Sequence, residues 1–380
     1  MPNLAARSTS LPPGFHGFFA PPHDDTVHLT LGESDFNTPQ RVIDAAVEDL
    51  KADDTFYIAP EGKSVLREAI AEKLARENHV RYDMSEVTVT VGAKEGIFNA
   101  ALALLDPGDE ILITAPHWHS YDPIVDFASA KAVPVPFRPE NYHPDPEAMK
   151  HRVGRRTKAV LVNTPNNPSG AVYTRDELKA IVDLAVDHDL FIISDEIYEY
   201  MVYDGREHVS IASLPGAFDR TVTVNGFSKC FAMTGWRMGY TAAPKWIAHP
   251  MRFVHMHAVT HPSSFLHRAG AVALRECRGE ATAMVAKFDE RRRFLHGALQ
   301  GIRGWRLPPA EGAFYLFPDI RGTGLTSLQV KQKLLAAGVE VVEGTIFPRG
   351  EGYIRISYAA SLESLRKAAG RIESAFGRAG

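Results

Sequence analysis

Cysteine is nearly absent: Cys230 and Cys277 are the only two in 380 residues. Two thiols cannot build a disulfide framework or a cysteine metal centre, so a reducing, cytoplasmic compartment is expected. No apolar run approaches the roughly 20 residues needed to span a bilayer. The N-terminus lacks a charged stretch followed by an apolar one, which predicts no signal peptide. Long runs of like charge are also missing, and with a formal net charge of -4 and no basic stripe the chain is not expected to bind nucleic acid. What is present is 45% hydrophobic and 23% charged residues, a globular composition at a length beyond one typical domain.

Residues 1–25 are rich in proline and glycine and predict no regular structure. Phe15, Phe18 and Phe19 are too apolar for a solvated arm and are expected to pack on a partner subunit or the mouth of a site. The segment HLTLG reads as a short strand ending at Gly32, and Thr38-Pro39 begin a helix with Val42, Ile43, Ala46, Val47 and Leu50 at helical spacing. FYIAPEG, which contains Tyr57, interrupts before a second helix from Ser64 to about Asn78. On residue type alone Tyr57 reads as a packing residue. EVTVTVG then runs as a strand into Gly92-Ala93-Lys94 and an apolar helix. A strand, a small-residue turn and a helix N-terminus together form an anion cup of backbone donors.

From there strand and helix alternate through EILITAP, AVPVPF, AVLVNTP, FIISDE and TVTVNG. This predicts an α/β fold with a mostly parallel sheet covered by helices on both faces. Ligands of such sheets sit beyond the strand carboxyl ends, which singles out Gly92-Ala93-Lys94, Trp118, Asn163 with Asn166-Asn167, Asp195 with Tyr198, and Ser228-Lys229. A lysine walled by apolar neighbours can form a Schiff base, and Arg237 eight residues on can hold an anion. That pairing suits pyridoxal phosphate, an aldehyde with a phosphate. Asp195 at an apolar strand end wants a cation, such as a pyridinium nitrogen. Asn167 and Tyr198 suit a phenolic oxygen, and Trp118 suits a stacked ring. Each alone is equally compatible with a cap, a turn residue or ordinary core; the conjunction carries the chemistry.

The motifs LGESDFNTP, FYIAPEGKSVLREAIA, VTVGAKEGIFNA, LLDPGDEILITAPHWHSY, NTPNNPSG, SDEIYEY, NGFSKCFAMTGWRMGY, GAFYLF and GYIRISYA resemble those of the class I/II pyridoxal-phosphate-dependent aminotransferases, of aspartate aminotransferase fold type I, from about Leu31 onward. The resemblance implies transfer of an amino group between an L-amino acid and a 2-oxo acid through a Lys229 aldimine and a carbanion. It implies Asp195 as partner of the pyridine nitrogen, and Asn167 and Tyr198 on the ring oxygen, with Trp118 stacked on the ring. The phosphate would meet the Gly92-Ala93-Lys94 backbone, Ser228, Arg237, and Tyr57 from a second subunit of a homodimer. Arg355 would fork the substrate carboxylate, with Gly32, Trp118 and Asn167 beside it. The family's architecture implies a large domain over 40–265 and a small one from 1–39 and 266–380. A long helix through Ala269 to about Gly301, strands at GAFYLF, GVEVV and YIRIS, and a final helix would build the latter.

Several positions depart from that family. Gly226 stands where relatives often carry a phosphate-binding serine. PHWHSYD replaces PYWVSYP, placing His117 and His119 around Trp118. His255, His257, His261 and His267 crowd one segment, the last where glutamine is common. Six histidines near the expected substrate mouth suggest an altered substrate or a second acid–base group; their spacing does not predict a metal site, and satisfied structural histidines are the favoured alternative to one. Lys94 stands where some aspartate and prephenate aminotransferases place a lysine for a distal carboxylate. Eliminating or oxidative chemistry on the same cofactor, and a non-catalytic cofactor-sensing module, are the competing readings.

Overall fold

The computed structural model describes residues 25–379, so the arm carrying Phe15, Phe18 and Phe19 lies outside the described residues. At its centre is a seven-stranded sheet in the order β2 (Val87–Thr90), β8 (Gly239–Ala242), β7 (Thr221–Gly226), β6 (Phe191–Asp195), β5 (Thr157–Asn163), β3 (Glu110–Ala115) and β4 (Lys131–Pro136). The strands from β7 to β4 pair in parallel, as the alternating pattern predicts, while β8 runs antiparallel to both its neighbours. β8 was not legible beforehand because GYTA is short and opens on glycine. Its Gly239 is fixed by packing: a Cβ there would lie 2.5 Å from the Ala93 amide nitrogen.

Successive strand residues alternate between two cores. Val160, Val162 and Ile192 pack with Leu178, Ile181 and Val182 of α6 (Arg175–Asp187). Ala159, Leu161 and Ile193 meet Ile97 of α3 (Gly92–Leu104) and Ile247 of α7 (Lys245–Ala258) on the opposite face. α1 (Gln40–Lys51) buries Val42 and Ala46 as the spacing predicts, yet Val47 and Leu50 remain exposed. Among the described residues, no helix is long and apolar enough to cross a membrane.

The expected long helix through Ala269 is two: α8 (His267–Glu276) and α9 (Arg278–Leu299), separated at Cys277. The break lets each segment bury a different face. Ala269 and Ala273 of α8 share a core with Val42 and Leu66, while Phe288 and Leu295 of α9 pack beneath Ile354 and Ile356 of β12 (Ile354–Ser357). The strand expected at HLTLG is only β1 (Val27–His28), paired in parallel with β10 (Val339–Glu340), and GVEVV divides between β10 and β11 (Val342–Glu343). β11, β12 and β9 (Tyr315–Leu316) form an antiparallel three-stranded sheet, and α11 (Leu362–Phe376) closes the chain.

The segment leading into β9 is tied to the large sheet by a buried charge cluster. His143 Nδ1 lies 2.8 Å from Glu177 and its Nε2 2.8 Å from Glu311. Glu177 also completes the capping box of α6 with Thr174 and receives Arg138, while Arg206 pairs with Glu311. Burial alone would depress the imidazole, but the two carboxylates outweigh it and hold it at about 9. Because this value lies above that of an unfolded histidine, its stabilisation is complete below about pH 6.5 and is lost as pH rises through about 9. Urea titrations across that window should show stability falling by up to about 3 kcal/mol, and His143→Gln should remove that slope. A slope unchanged in the variant would assign it elsewhere.

Candidate active site

The carboxyl ends of β5, β6 and β7 and the N-terminus of α3 open onto one cavity of about 380 Å³. It collects Gly32, Ala93, Lys94, Trp118, Asn167, Asp195, Tyr198, Ser228, Lys229, Arg237 and Arg355 from segments far apart in sequence. Topology explains the convergence. β5, β6 and β7 are consecutive in the sheet, and their register sets Asn163 opposite Asp195 and Asp195 opposite Val224, so their terminal residues emerge side by side.

Lys229 follows β7 and donates through Nζ to the Gly32 carbonyl oxygen. Burial lowers its amine to about 8; Arg355 and Arg237 push the same way, while Glu33 and Asp195 oppose them. Asp195, which lines the same cavity, accepts from the Tyr121 hydroxyl at 2.7 Å and from the Ile197 amide at 3.2 Å. Burial raises this carboxyl to about 6, against the Tyr121 hydrogen bond. Asn163 braces the neighbourhood, donating to the Asp195 carbonyl at 3.0 Å and accepting from the Asn167 amide at 2.9 Å.

Arg355, on β12, is buried and reaches in from the three-stranded sheet. It donates to Asn167 Oδ1 at 3.0 Å and to the Thr30 carbonyl at 2.7 Å, and its Nε is buried with no hydrogen-bond partner among the described residues. Its guanidinium lies 4.4 Å from the centre of the Tyr315 ring, whose hydroxyl is 2.9 Å from that of Tyr198. Gly32 is required here, since a Cβ would stand 2.3 Å from the Tyr315 hydroxyl.

At the other end Gly92, with φ of 73°, backs onto Arg237, and a Cβ there would fall 2.6 Å from the guanidinium. Gly92 thus supports the cavity wall from behind. Arg237 itself takes φ of 52° and donates to the Thr234 carbonyl at 3.0 Å. Lys94 lies 4.8 Å over the Trp118 ring, and burial followed by Arg237 lowers its amine below the usual lysine range. A serine at position 226 would not fit this backbone, because a Cβ would lie 2.9 Å from Gly239 Cα.

Two expectations are corrected. Tyr57 does not pack as a core residue: it is 90% exposed, outside the cavity, with an edge contact to His261 among the described residues. The histidines do not gather at the mouth, since only His119 lines the cavity. His255 is buried between Glu95 at 2.8 Å and the Pro60 carbonyl at 2.9 Å, His267 faces the Ser263 and Ser264 carbonyls, and His117 pairs with Asp122 at 2.7 Å. His257 lies against Phe253 and His261 accepts from the Ile58 amide, so these rings serve local structure. Sequence reasoning also missed Tyr121, Glu33, Thr234 and Tyr315 as cavity residues. PHWHSYD, LGESDFNTP, NGFSKCFAMTGWRMGY and GAFYLF contain them, but no local pattern says which way each side chain turns.

Elsewhere, Glu196, Glu199 and His208 come within 4.8 Å of one another. Glu199 is already bound to Lys73 and Asn78, and Glu196 to Ser194 and Ser210, so the group is a buried ion-pair network.

The family model for aminotransferase class I and II matches residues 24–372. The chain belongs to that family. It is similar to an aspartate aminotransferase of Pyrococcus abyssi, 44% identical over 92% of this chain and 91% of that one. An aspartate/prephenate aminotransferase of Thermus thermophilus is 43% identical over 93% and 92%. Among solved structures, the aromatic aminotransferase of Pyrococcus horikoshii superposes with a TM-score of 0.90 at 43% identity, covering 93% of this chain and 96% of that one. The fold is therefore that of the aspartate aminotransferases, and the protein is an aminotransferase.

The electrostatics of this aminotransferase's cavity give a direct test. In cofactor-free protein, competitive acylation followed by peptide mapping should show Lys229 reaching half its limiting reactivity near pH 8, about two units below exposed lysines. Titration together with the exposed lysines would refute the burial argument.

Proposed function

We propose that this aminotransferase holds pyridoxal 5'-phosphate through Lys229 and exchanges amino groups between a dicarboxylic L-amino acid and a 2-oxo acid. The observation that carries the reading is a pair lining one cavity: a buried lysine with a depressed amine, and a buried carboxylate that, among the described residues, no side-chain cation meets at hydrogen-bonding distance. The donor set fits the cofactor. Asp195 suits its pyridinium nitrogen, and Tyr198 and Asn167 its ring oxygen. The α3 backbone at Gly92-Ala93-Lys94, with Ser228 and Arg237, suits its phosphate, and Trp118 its face. When bound, the cofactor supplies an electrophilic aldehyde carbon and a ring that accepts negative charge from the substrate α-carbon.

The chain's own groups do the rest. Arg355, with its free Nε beside Nη groups braced by Asn167 and Thr30, orients the substrate α-carboxylate in a fork that lysine cannot reproduce. Lys229, once its amine is released, removes the α-proton and redelivers it, since burial keeps a useful fraction neutral near pH 7–8. Asp195, kept ionised in part by Tyr121, holds a proton on the ring nitrogen. Lys94, at the cavity wall over Trp118, takes the distal carboxylate, in line with the relatives named for aspartate.

We assign residues 40–265 to the cofactor-binding unit and the chain's two ends to the smaller one. We also assign a two-fold dimer in which Tyr57 reaches the partner's phosphate site. Its exposure, and that of Phe56, Phe253, Met256 and Val259, supports that assignment.

Lys229→Ala should lose the visible absorption of the cofactor-loaded protein and at least about 10³-fold of turnover. Retention of both would overturn the lysine assignment. Arg355→Lys should raise KM for amino donors about tenfold or more. An amino-acid panel followed at the cofactor bands should show aspartate converting the protein to its aminated form; release of ammonia with no such form would favour an eliminating enzyme.

A further inference from the structure

Three side chains of α7 and the segment after it hold the loop that carries Tyr57. His261 Nε2 accepts from the amide of Ile58, the residue directly after Tyr57, at 3.3 Å. Nδ1 of the same ring faces the Pro262 carbonyl at 2.7 Å and donates there, and the Tyr57 ring meets the imidazole edge to face at 5.6 Å. Ser264 Oγ donates to the Asp54 carbonyl at 2.6 Å, and His255 Nε2 to the Pro60 carbonyl at 2.9 Å. The loop is thus held before, beside and after Tyr57. Its own side chains do not fix it: Phe56 and Tyr57 are both exposed, and a segment that buries so little apolar surface is locally soft unless polar contacts pin it. Thr260, just before His261, takes φ of 67°, a left-handed conformation unfavourable for a β-branched residue. Such strain persists where surrounding contacts over-determine it.

We propose that His261 is a positioning residue for cofactor binding: it fixes the backbone beside Tyr57 so that the phenol is presented outward to the phosphate site of a second copy of this chain. The proposal rests on the two-fold dimer and the phosphate role of Tyr57 assigned above. Its physics is preorganisation. A tyrosine on a free loop has to give up backbone and side-chain freedom before its hydroxyl can donate to a phosphate, and that cost is subtracted from the affinity. With Ile58 held by His261, and Asp54 and Pro60 held on either side, the backbone is ordered before the cofactor arrives. The edge contact with the imidazole limits the swing of the phenol without burying it. The role needs an acceptor at the Nε2 position, since the Ile58 amide only donates. Glutamine can bring an oxygen there and leucine cannot. The histidine-crowded segment thereby takes part in cofactor retention although His255, His261 and His267 all lie outside the cavity lining.

Pyridoxal 5'-phosphate titrated into the cofactor-free protein, and followed at the visible band of the bound cofactor, gives the dissociation constant; pyridoxal, which lacks the phosphate, is the control. Tyr57→Phe should weaken binding of the phosphate ester roughly tenfold or more and leave pyridoxal unchanged. His261→Leu should weaken the ester about threefold to tenfold, again without effect on pyridoxal, and His261→Gln should restore binding to within about twofold of wild type. Ser264→Ala, a milder change on the Asp54 side of the loop, should move the ester in the same direction and carries the test if the leucine variant does not fold. In the Tyr57→Phe background neither His261→Leu nor Ser264→Ala should cost further affinity. A ring that only supports local structure would weaken pyridoxal and its phosphate alike, or add its full effect to that of Tyr57→Phe. Either result would overturn this proposal and leave the Tyr57 assignment standing, as would an ester affinity unchanged in both His261→Leu and Ser264→Ala. An ester affinity unchanged in Tyr57→Phe would overturn both.

Discussion

A primary amine buried in one cavity with two guanidinium groups and a buried carboxylate is the constraint on which the site depends. Out in solvent Lys229 would stay charged at neutral pH and be neither nucleophile nor base. Within the cavity, desolvation disfavours its ammonium form, and Arg355 and Arg237 add to that penalty. Asp195 and Glu33 oppose the shift without cancelling it, so the amine sits within reach of physiological pH instead of being locked in either state. The same low-polarity surroundings raise Asp195, and the Tyr121 hydroxyl restrains that rise. The charge state of each group thus depends on burial and on how close the others are.

Closeness is supplied by the sheet. Parallel strands with crossover helices set β5, β6 and β7 next to one another, so Asn167, Asp195 and Lys229 arrive at a common edge although more than sixty residues separate the first from the last. Glycines then let backbones approach where side chains would collide: Gly239 against Ala93, Gly92 against Arg237, and Gly32 against Tyr315. The remaining wall comes from both ends of the chain. Gly32 and Arg355 are joined through Thr30, and the segment before Tyr315 is secured by Glu311 to His143 and Gly170. A distant buried charge cluster therefore helps set the position of an active-site ring.

Much of this was legible in the chain itself. Period-two apolar runs broken by small residues marked the strands, and the residues at their ends included nine of those that line the cavity. Where two helices follow without a breaker between them, the pattern misled: α8 and α9 read as one helix because Cys277 carries no breaker chemistry. β8 was hidden because its glycine answers to a neighbour almost 150 residues away. For the histidines, residue type left open whether each ring serves the site or the local structure, because the partners that decide it come from other elements, as Glu95 does for His255.

The order of strands and helices, the place of the lysine and carboxylate at strand ends, and the arginines available for anions were determined by the sequence, since periodicity and residue type are properties of neighbouring positions. Which groups are charged, which ring faces the cavity, and which histidine lines it were decided only by the tertiary structure. Those properties depend on fields and contacts from residues remote along the chain, and these act over a few ångströms in space whatever their separation in sequence.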